Sequence, residues 1–422
     1  MVMSNEADGT FNTVSVVGLG YIGLPTAAVL ASRGLQVIGI DVSEHAIATI
    51  NAGKIHIVEP DLDIVVRSVV STGNLKATLI PQAAEAFIIA VPTPFTDDHQ
   101  PDLSFIKAAA ETIAPVLQPG NLVILESTSP VGTTEQLAGW LAHCREDLSF
   151  PQQQGEKADI NIAYCPERVL PGNVLQELVA NDRIIGGMTP RCAARAAGLY
   201  QIFVRGECLL THTRTAEMAK LTENAYRDVN IGFANELSII CDRFKINVWE
   251  LIRLSNRHPR VNILNPGPGV GGHCIAVDPW FIVSAAPEEA RLIRMAREVN
   301  DGKPNYVINK ALKAANQFKQ PVIGCFGLSF KPDIDDLRES PALSITLALV
   351  DAKVAEILVV EPNVDQLPDV LSRRDVEKVH HNEALERANI ILLLVAHKEF
   401  NGLSSDFLNE KVVIDVAGVL SH

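Results

Sequence analysis

The run Thr13-Val-Ser-Val-Val17 passes directly into Gly18-Leu-Gly-Tyr-Ile-Gly23 and then into an alanine-rich stretch from Pro25 to Arg33, and this leaves the amino terminus few folds to adopt. A β-branched strand, three spaced glycines and a helix make the first βα unit of a doubly wound sheet. The glycines permit a tight turn, the close approach of a pyrophosphate and the packing of helix on strand. The helix N-terminus then presents its N–H groups to phosphate. A second strand, Gln36 to Ile40, ends in Asp41, near the spacing of roughly 20 residues at which an acid receives the ribose 2′-hydroxyl of NAD and repels the 2′-phosphate of NADP. Gly18, Gly20, Gly23 and Asp41 are therefore candidate cofactor residues, and NAD is the expected cofactor.

The βα rhythm continues. Strands are expected at 13–17, 36–40, 86–91, 121–126, 160–164 and 183–187, forming a parallel sheet. Three strand ends carry polar or rigid loops, Val91-Pro-Thr-Pro94, Glu126-Ser-Thr-Ser-Pro-Val-Gly-Thr-Thr134 and Tyr164-Cys-Pro-Glu-Arg-Val-Leu-Pro-Gly172, at the sheet edge where ligands sit in such folds. From Thr215 to about Asn256 the period changes to 3.6, with Met218, Leu221, Ala225, Val229, Phe233, Leu237 and Ile240 on one stripe, which predicts one long helix suited to joining domains or pairing subunits. Lys220, Asn224 and Arg227 share another of its faces. Helices over 287–300 and through Lys313 follow, and strands at 321–326, 356–361, 389–395 and 411–416 make a second α/β domain whose first turn lacks the full glycine fingerprint. The expected fold class is α/β, two doubly wound Rossmann-like domains joined by a central long-helix segment, with boundaries at 1–205, 206–315 and 316–422.

Composition narrows the function. A formal charge of −14 excludes nucleic acid or an anionic membrane as the main partner, because either needs a basic face. No apolar run approaches the ~20 residues of a membrane span, and the polar start lacks a signal-peptide core, so a cytoplasmic protein is expected. Seven cysteines show no CxxC pair, and the histidines have no ligand spacing, so no metal is expected. Most of these thiols read as small buried hydrophobes. Cys274 differs, because it lies in Pro266-Gly-Pro-Gly-Val-Gly-Gly-His-Cys-Ile-Ala-Val-Asp-Pro279, a loop of glycine and proline with a carboxylate, Asp278, four residues on.

Taken together, GLGYIGLP, the STSPVG turn, the CPER turn, KLTENAYRDVN, GPGVGGHCIAVDP and FKPDIDDLRES resemble the UDP-glucose/GDP-mannose dehydrogenase family from Thr13 to the last strand. His273 before the thiol and the segment Asn256-Arg-His-Pro-Arg-Val-Asn-Ile263 are most similar to the members acting on UDP-N-acetyl-D-mannosamine, whose product feeds enterobacterial common antigen or a related surface polysaccharide. The resemblance implies a four-electron oxidation of the sugar C6 alcohol to a carboxylate. Cys274 is then the nucleophile, Lys220 and Asn224 stabilise the reacting oxygen, and Asp278, Glu167 and Thr128 position or activate water. It adds Tyr21, Ile22, Thr93, Thr134 and Arg338 to the cofactor wall. It assigns Arg168, Val169, Lys220, Asn224, Arg227, His258, Arg260, Gly271, Phe330 and Lys331 to the UDP-sugar, and it implies a homodimer. Three other readings remain: another UDP-hexose or UDP-N-acetylhexosamine 6-dehydrogenase, a two-electron β-hydroxyacid dehydrogenase using lysine alone, and a silent NAD-binding regulator; the last two do not need the thiol loop.

Overall fold

The computed structural model describes residues 11–421 except 97, 98, 171, 273, 375 and 404–407. The chain divides into two compact units, Met1–Thr222 and Glu223–His422.

The first unit is built on strands β1 (Thr13–Val17), β2 (Gln36–Ile40), β3 (Leu75–Thr78), β4 (Ala86–Ile89), β5 (Leu122–Leu125), β6 (Asn161–Tyr164), β7 (Arg183–Gly187) and β8 (Cys208–His212), in the order β3-β2-β1-β4-β5-β6-β7-β8. The period of two sends alternate residues to opposite faces. In β4, Ala86 and Ile88 enter one core with Val14, Val16 and Leu24, while Phe87 and Ile89 enter the other with Val17, Val123 and Leu125. Helices therefore cover both faces, and the strand order reverses between β1 and β4, which opens a crevice at the carboxyl edge.

Two features correct the sequence expectation. Strands β3 and β8 lie at the sheet edges, where little periodicity marks them; Leu209 and Leu210 of β8 are both exposed. Strand β7 runs antiparallel to β6, with Ala163 opposite Gly187. Its first residue, Arg183, is ion-paired to Glu167 just beyond the end of β6, so β7 starts at the edge where β6 stops.

The long helix Thr213–Phe244 ends sooner than expected. Lys245 adopts a left-handed φ of 57°, and Asn247 accepts N–H bonds from Trp249 and Glu250 to start a separate helix, Val248–Ser255. A short helix, Asp278–Ala285, follows the thiol loop, and Arg291–Ala315 is one continuous helix with Pro304 inside it, where two were expected. Arg297, in that helix, places Nη1 2.6 Å from Asp228 Oδ1, Asn300 Nδ2 donates to the same oxygen, and Asn235 Nδ2 donates to Asn300. All four are buried, so this polar seam locks the two long helices together.

The second sheet is parallel, with β9 (Val322–Phe326), β10 (Glu356–Val360), β11 (Glu377–Lys378), β12 (Ile390–Leu393) and β13 (Val412–Asp415) in the order β11-β10-β9-β12-β13. Its first turn repeats the logic of the first sheet. Gly327 has φ 90°, and the Glu361 carboxylate after β10 accepts from the N–H groups of Leu328 and Asn363, as Asp41 after β2 accepts from Leu19 and Ser43.

Candidate active site

The amino-terminal glycine turn has the shape a dinucleotide needs. Gly18 has φ 90°, and a Cβ there would lie 2.6 Å from the carbonyl oxygen of Ala90; one at Gly23 would lie 1.8 Å from that of Gly18. Nothing approaches within 4 Å of a Cβ at Gly20, so the turn is open there. Helix Gly23–Ser32 has no side-chain cap from Ile22, which leaves its N-terminal dipole available to phosphate, and Tyr21 beside it is exposed. The Asp41 carboxylate is aimed by two N–H bonds of 2.8 Å, from Leu19 and from Ser43. These residues fit NAD, which would lay its pyrophosphate over Gly20 and its adenosine ribose on Asp41.

The strand-end loops are stitched together. Thr93 Oγ1 donates to the carbonyl of Thr128 at 2.6 Å, and Ser127 Oγ to that of Val91 at 2.7 Å. Thr134 is wholly buried, and its hydroxyl donates to Glu217, a carboxylate that also takes the N–H groups of Gly132 and Thr134. Glu217 thus caps helix Thr133–Cys144, and burial raises its pKa. Lys220, one turn further along the long helix, is buried.

Glu167 is buried and not alone. Its Oε2 meets Arg183 Nη1 at 2.5 Å, and its Oε1 accepts the N–H of Arg168. Behind it lies Glu126, also buried, receiving the Tyr200 hydroxyl at 3.0 Å and facing Thr26 Oγ1. Burial, then the negative charge of Glu167, pushes the Glu126 pKa up to about 8, and burial pushes the Cys165 thiol to about 12. Sequence reasoning missed Glu126, Arg183 and Tyr200. The signal was slight: an acid closing the apolar run Leu122–Leu125 and an arginine opening β7. Arg168 reaches the Asp182 carbonyl at 2.7 Å, and Val169 is half-buried.

In the second unit Cys274 is exposed, and its carbonyl accepts the N–H groups of Val277 and Asp278, which winds the chain into helix Asp278–Ala285. Asp278, buried at the start of that helix, takes a 2.5 Å bond from Asn224 Nδ2. The fold thus brings together Asn224, Asp278 and the thiol-bearing loop. His273 lies outside the described residues. The loop is seated by close packing: a Cβ at Gly271 would meet the Glu339 carbonyl at 2.4 Å, Pro341 at 2.8 Å and Phe330 at 3.0 Å, and Gly267 N–H donates to buried Asn235. Gly272 sits against the Phe330 ring. Asn256 closes the following segment through two bonds to Ile263, holding His258 and Arg260 exposed. Arg227 and Lys331 are exposed too, while Arg338 forms a bidentate pair with Asp336 at 2.9 and 2.6 Å.

Among the described residues Asp333, His397 and Glu399 approach within metal-ligating distance of one another. The imidazole is committed elsewhere: Nδ1 accepts from the Asp333 N–H and Asn363 Nδ2, and Nε2 lies 3.1 Å from Glu361. With both nitrogens engaged, the cluster has no imidazole lone pair for an ion.

A glycine cradle with its aimed acid, together with an exposed thiol on a packed loop, defines a dinucleotide-dependent oxidoreductase. The chain belongs to the UDP-glucose/GDP-mannose dehydrogenase family, whose NAD binding domain matches residues 12–204, central domain 214–302 and UDP binding domain 324–422. It is similar to an NDP-N-acetyl-D-galactosaminuronic acid dehydrogenase of Ralstonia nicotianae, 64% identical over 99% of each chain. It is also similar to a UDP-N-acetyl-D-mannosamine dehydrogenase of Yersinia pestis, 62% identical over 97% of this chain and 99% of that one. The solved UDP-D-ManNAc dehydrogenase of Pyrococcus horikoshii superposes with a TM-score of 0.84 at 38% identity, covering 96% of both chains. No described helix is long and apolar enough to cross a membrane.

Proposed function

We propose that this protein oxidises C6 of UDP-N-acetyl-D-mannosamine from alcohol to carboxylate with NAD, and the observation that carries the reading is the exposed Cys274 on a rigidly packed loop beside the Asn224–Asp278 pair. When bound, NAD supplies the hydride acceptor for both oxidations. Lys220 stabilises the alkoxide that develops at the sugar oxygen, and Asn224 shares that task. Cys274 Sγ adds to the aldehyde carbonyl, which holds the intermediate as a thiohemiacetal. Its oxidation leaves a thioester, and water cleaves the carbon–sulfur bond to release the acid and return the thiol. Glu167, Asp278 and Thr128 position that water. Across both oxidations the alcohol and one water give the carboxylate and three protons, which the residues around the site must pass to solvent.

Arg168, Arg227, His258, Arg260 and Lys331 meet the diphosphate, offering it hydrogen-bond donors in an otherwise acidic chain. Val169, Gly271 and Phe330 complete the sugar pocket, and Tyr21, Ile22, Thr93, Thr134 and Arg338 the cofactor wall. A homodimer is supported by apolar residues that recur on one face of the long helix, where Tyr226, Phe233, Ile240 and Phe244 are 69%, 53%, 42% and 66% exposed. The match to the NAD binding domain of a dehydrogenase family supports a cytoplasmic enzyme.

A second reading takes UDP-N-acetyl-D-galactosamine, which differs from the mannosamine sugar at both C2 and C4, as substrate, and the name of the Ralstonia relative favours it. One experiment separates the two and tests the chemistry: a panel of UDP sugars with NAD, scored by NADH formed per sugar and by mass spectrometry of the product. UDP-N-acetyl-D-mannosamine should be preferred to UDP-glucose by at least about tenfold in kcat/KM, since an unmatched acetamide pocket costs on the order of 1.4 kcal/mol or more. Two NADH per sugar and a uronic acid are expected, and a folded Cys274→Ala enzyme that still delivers both at the parental rate rules out the covalent route.

A further inference from the structure

The buried cluster behind Glu167 holds two carboxylates and a single guanidinium, and neither its members nor its charge balance is explained by packing. Arg183 lies 2.5 Å from Glu167 and 4.0 Å from Glu126, and all three are buried. We propose that Arg183 and a neutral, protonated Glu126 act as positioning residues that hold the Glu167 carboxylate in one orientation for thioester hydrolysis; this rests on the role given to Glu167 above.

One cation offsets one anion in a buried site, and a second buried carboxylate keeps its proton because nothing repays its desolvation. The shorter contact pairs Arg183 with Glu167. No second cation comes with Glu126: Oε1 accepts the Tyr200 hydroxyl at 3.0 Å and Oε2 faces Thr26 Oγ1 at 3.4 Å, two neutral donors that bring no charge to offset a second anion. The other groups facing it stay uncharged, since burial raises the Cys165 thiol to about 12 and the Tyr200 phenol well above its usual value. Burial likewise lifts Glu126 itself to about 8.

Arg183 has no other place to go. Its Nη2 donates to the Leu178 carbonyl at 3.2 Å, and its guanidinium lies over the rings of Tyr200 and Phe203 at 5.1 and 5.8 Å. Thr26 belongs to helix Gly23–Ser32, so the set also lies under the cofactor helix. If Glu126 loses its proton, two anions compete for Arg183 and the hold on Glu167 is weakened.

Glu126→Gln mimics the neutral acid permanently. The parent kcat should fall as pH rises through about 8 while that of the variant should not, so the ratio of variant to parent should grow about tenfold between pH 7 and pH 9. Tm supplies a second readout that needs no catalysis. A carboxyl whose folded pKa is raised contributes stability that is complete below the unfolded value of 4.5 and is lost as pH rises through about 8, so the parent should lose Tm relative to Glu126→Gln across that window. A constant activity ratio together with a constant Tm difference overturns the proposal. Difference infrared spectroscopy of the parent reads the same proton without a variant; a neutral buried carboxylic acid band present at neutral pH and lost in alkali is expected, and its absence at neutral pH also overturns it. Glu167→Gln separates the two readings, because full activity in that variant would remove the catalytic role of Glu167 without bearing on the Tm and infrared signatures that the parent shows for Glu126.

Discussion

Replacing Gly271 by alanine tests whether packing behind the thiol loop, and not glycine content as such, delivers Cys274 to the substrate. The added Cβ would sit 2.4 Å from the Glu339 carbonyl oxygen and 2.8 Å from the Pro341 ring, neither of which is the loose end of a flexible side chain. Ordinary contact requires about 1 Å more, and overpacking of this kind costs about 1–3 kcal/mol. If the loop gives way instead of the Glu339–Pro341 segment, Cys274, three residues on, moves by a similar distance, and a displacement of about 1 Å at a reacting group can cost on the order of a hundredfold in rate. Gly267→Ala is the matched control, because its Cβ would find only the Gly269 carbonyl at 3.8 Å and its N–H could still donate to Asn235. The assay is uronic acid formation at saturating NAD and sugar, with Tm and NAD binding measured alongside. Gly271→Ala should lose kcat and some Tm while retaining NAD affinity, and Gly267→Ala should resemble the parent. Parental kcat and Tm in Gly271→Ala, or equal damage in both variants, would refute the reasoning.

Three further outcomes are expected. Asp41→Ala should raise the KM for NAD and narrow the preference over NADP; because Asp41 also accepts the Leu19 and Ser43 N–H groups, a small drop in Tm should accompany it, and undiminished discrimination would reduce the acid to a structural strand end. Arg297→Met leaves Asp228 buried without its cation and should cost about 3–5 kcal/mol in urea unfolding, much of it recovered by adding Asp228→Asn. Burial depresses Lys303 to about 8, so the folded state sheds this proton before the unfolded chain does, and stability should rise with pH between about 8 and 10.5; the gain, roughly 3 kcal/mol, should vanish in Lys303→Met.

The sequence by itself determined what depends on near neighbours. The turn from β1 into helix Gly23–Ser32 needs glycine at 23 because its Cβ position is filled by the Gly18 carbonyl, and that demand is written as a spacing. Asp41 follows from the length of one βα unit, and the thiol loop from its run of glycine and proline. Even locally, competing signals hid some boundaries: Lys245 breaks the long helix through a left-handed φ that no glycine announces, and Pro304 sits inside a helix that continues past it. Only the tertiary structure decided the polar seams. Glu126 meets Tyr200, Glu217 reaches back to cap Thr134, and Asp228 finds Arg297, in each case across many residues of chain and several intervening elements. In sequence each acid has ordinary polar residues close by, Ser127 after Glu126 and Arg227 before Asp228, and nothing marks its partner. Its partner and its charge state are set by desolvation, which exists only once the sheets and helices have closed around it.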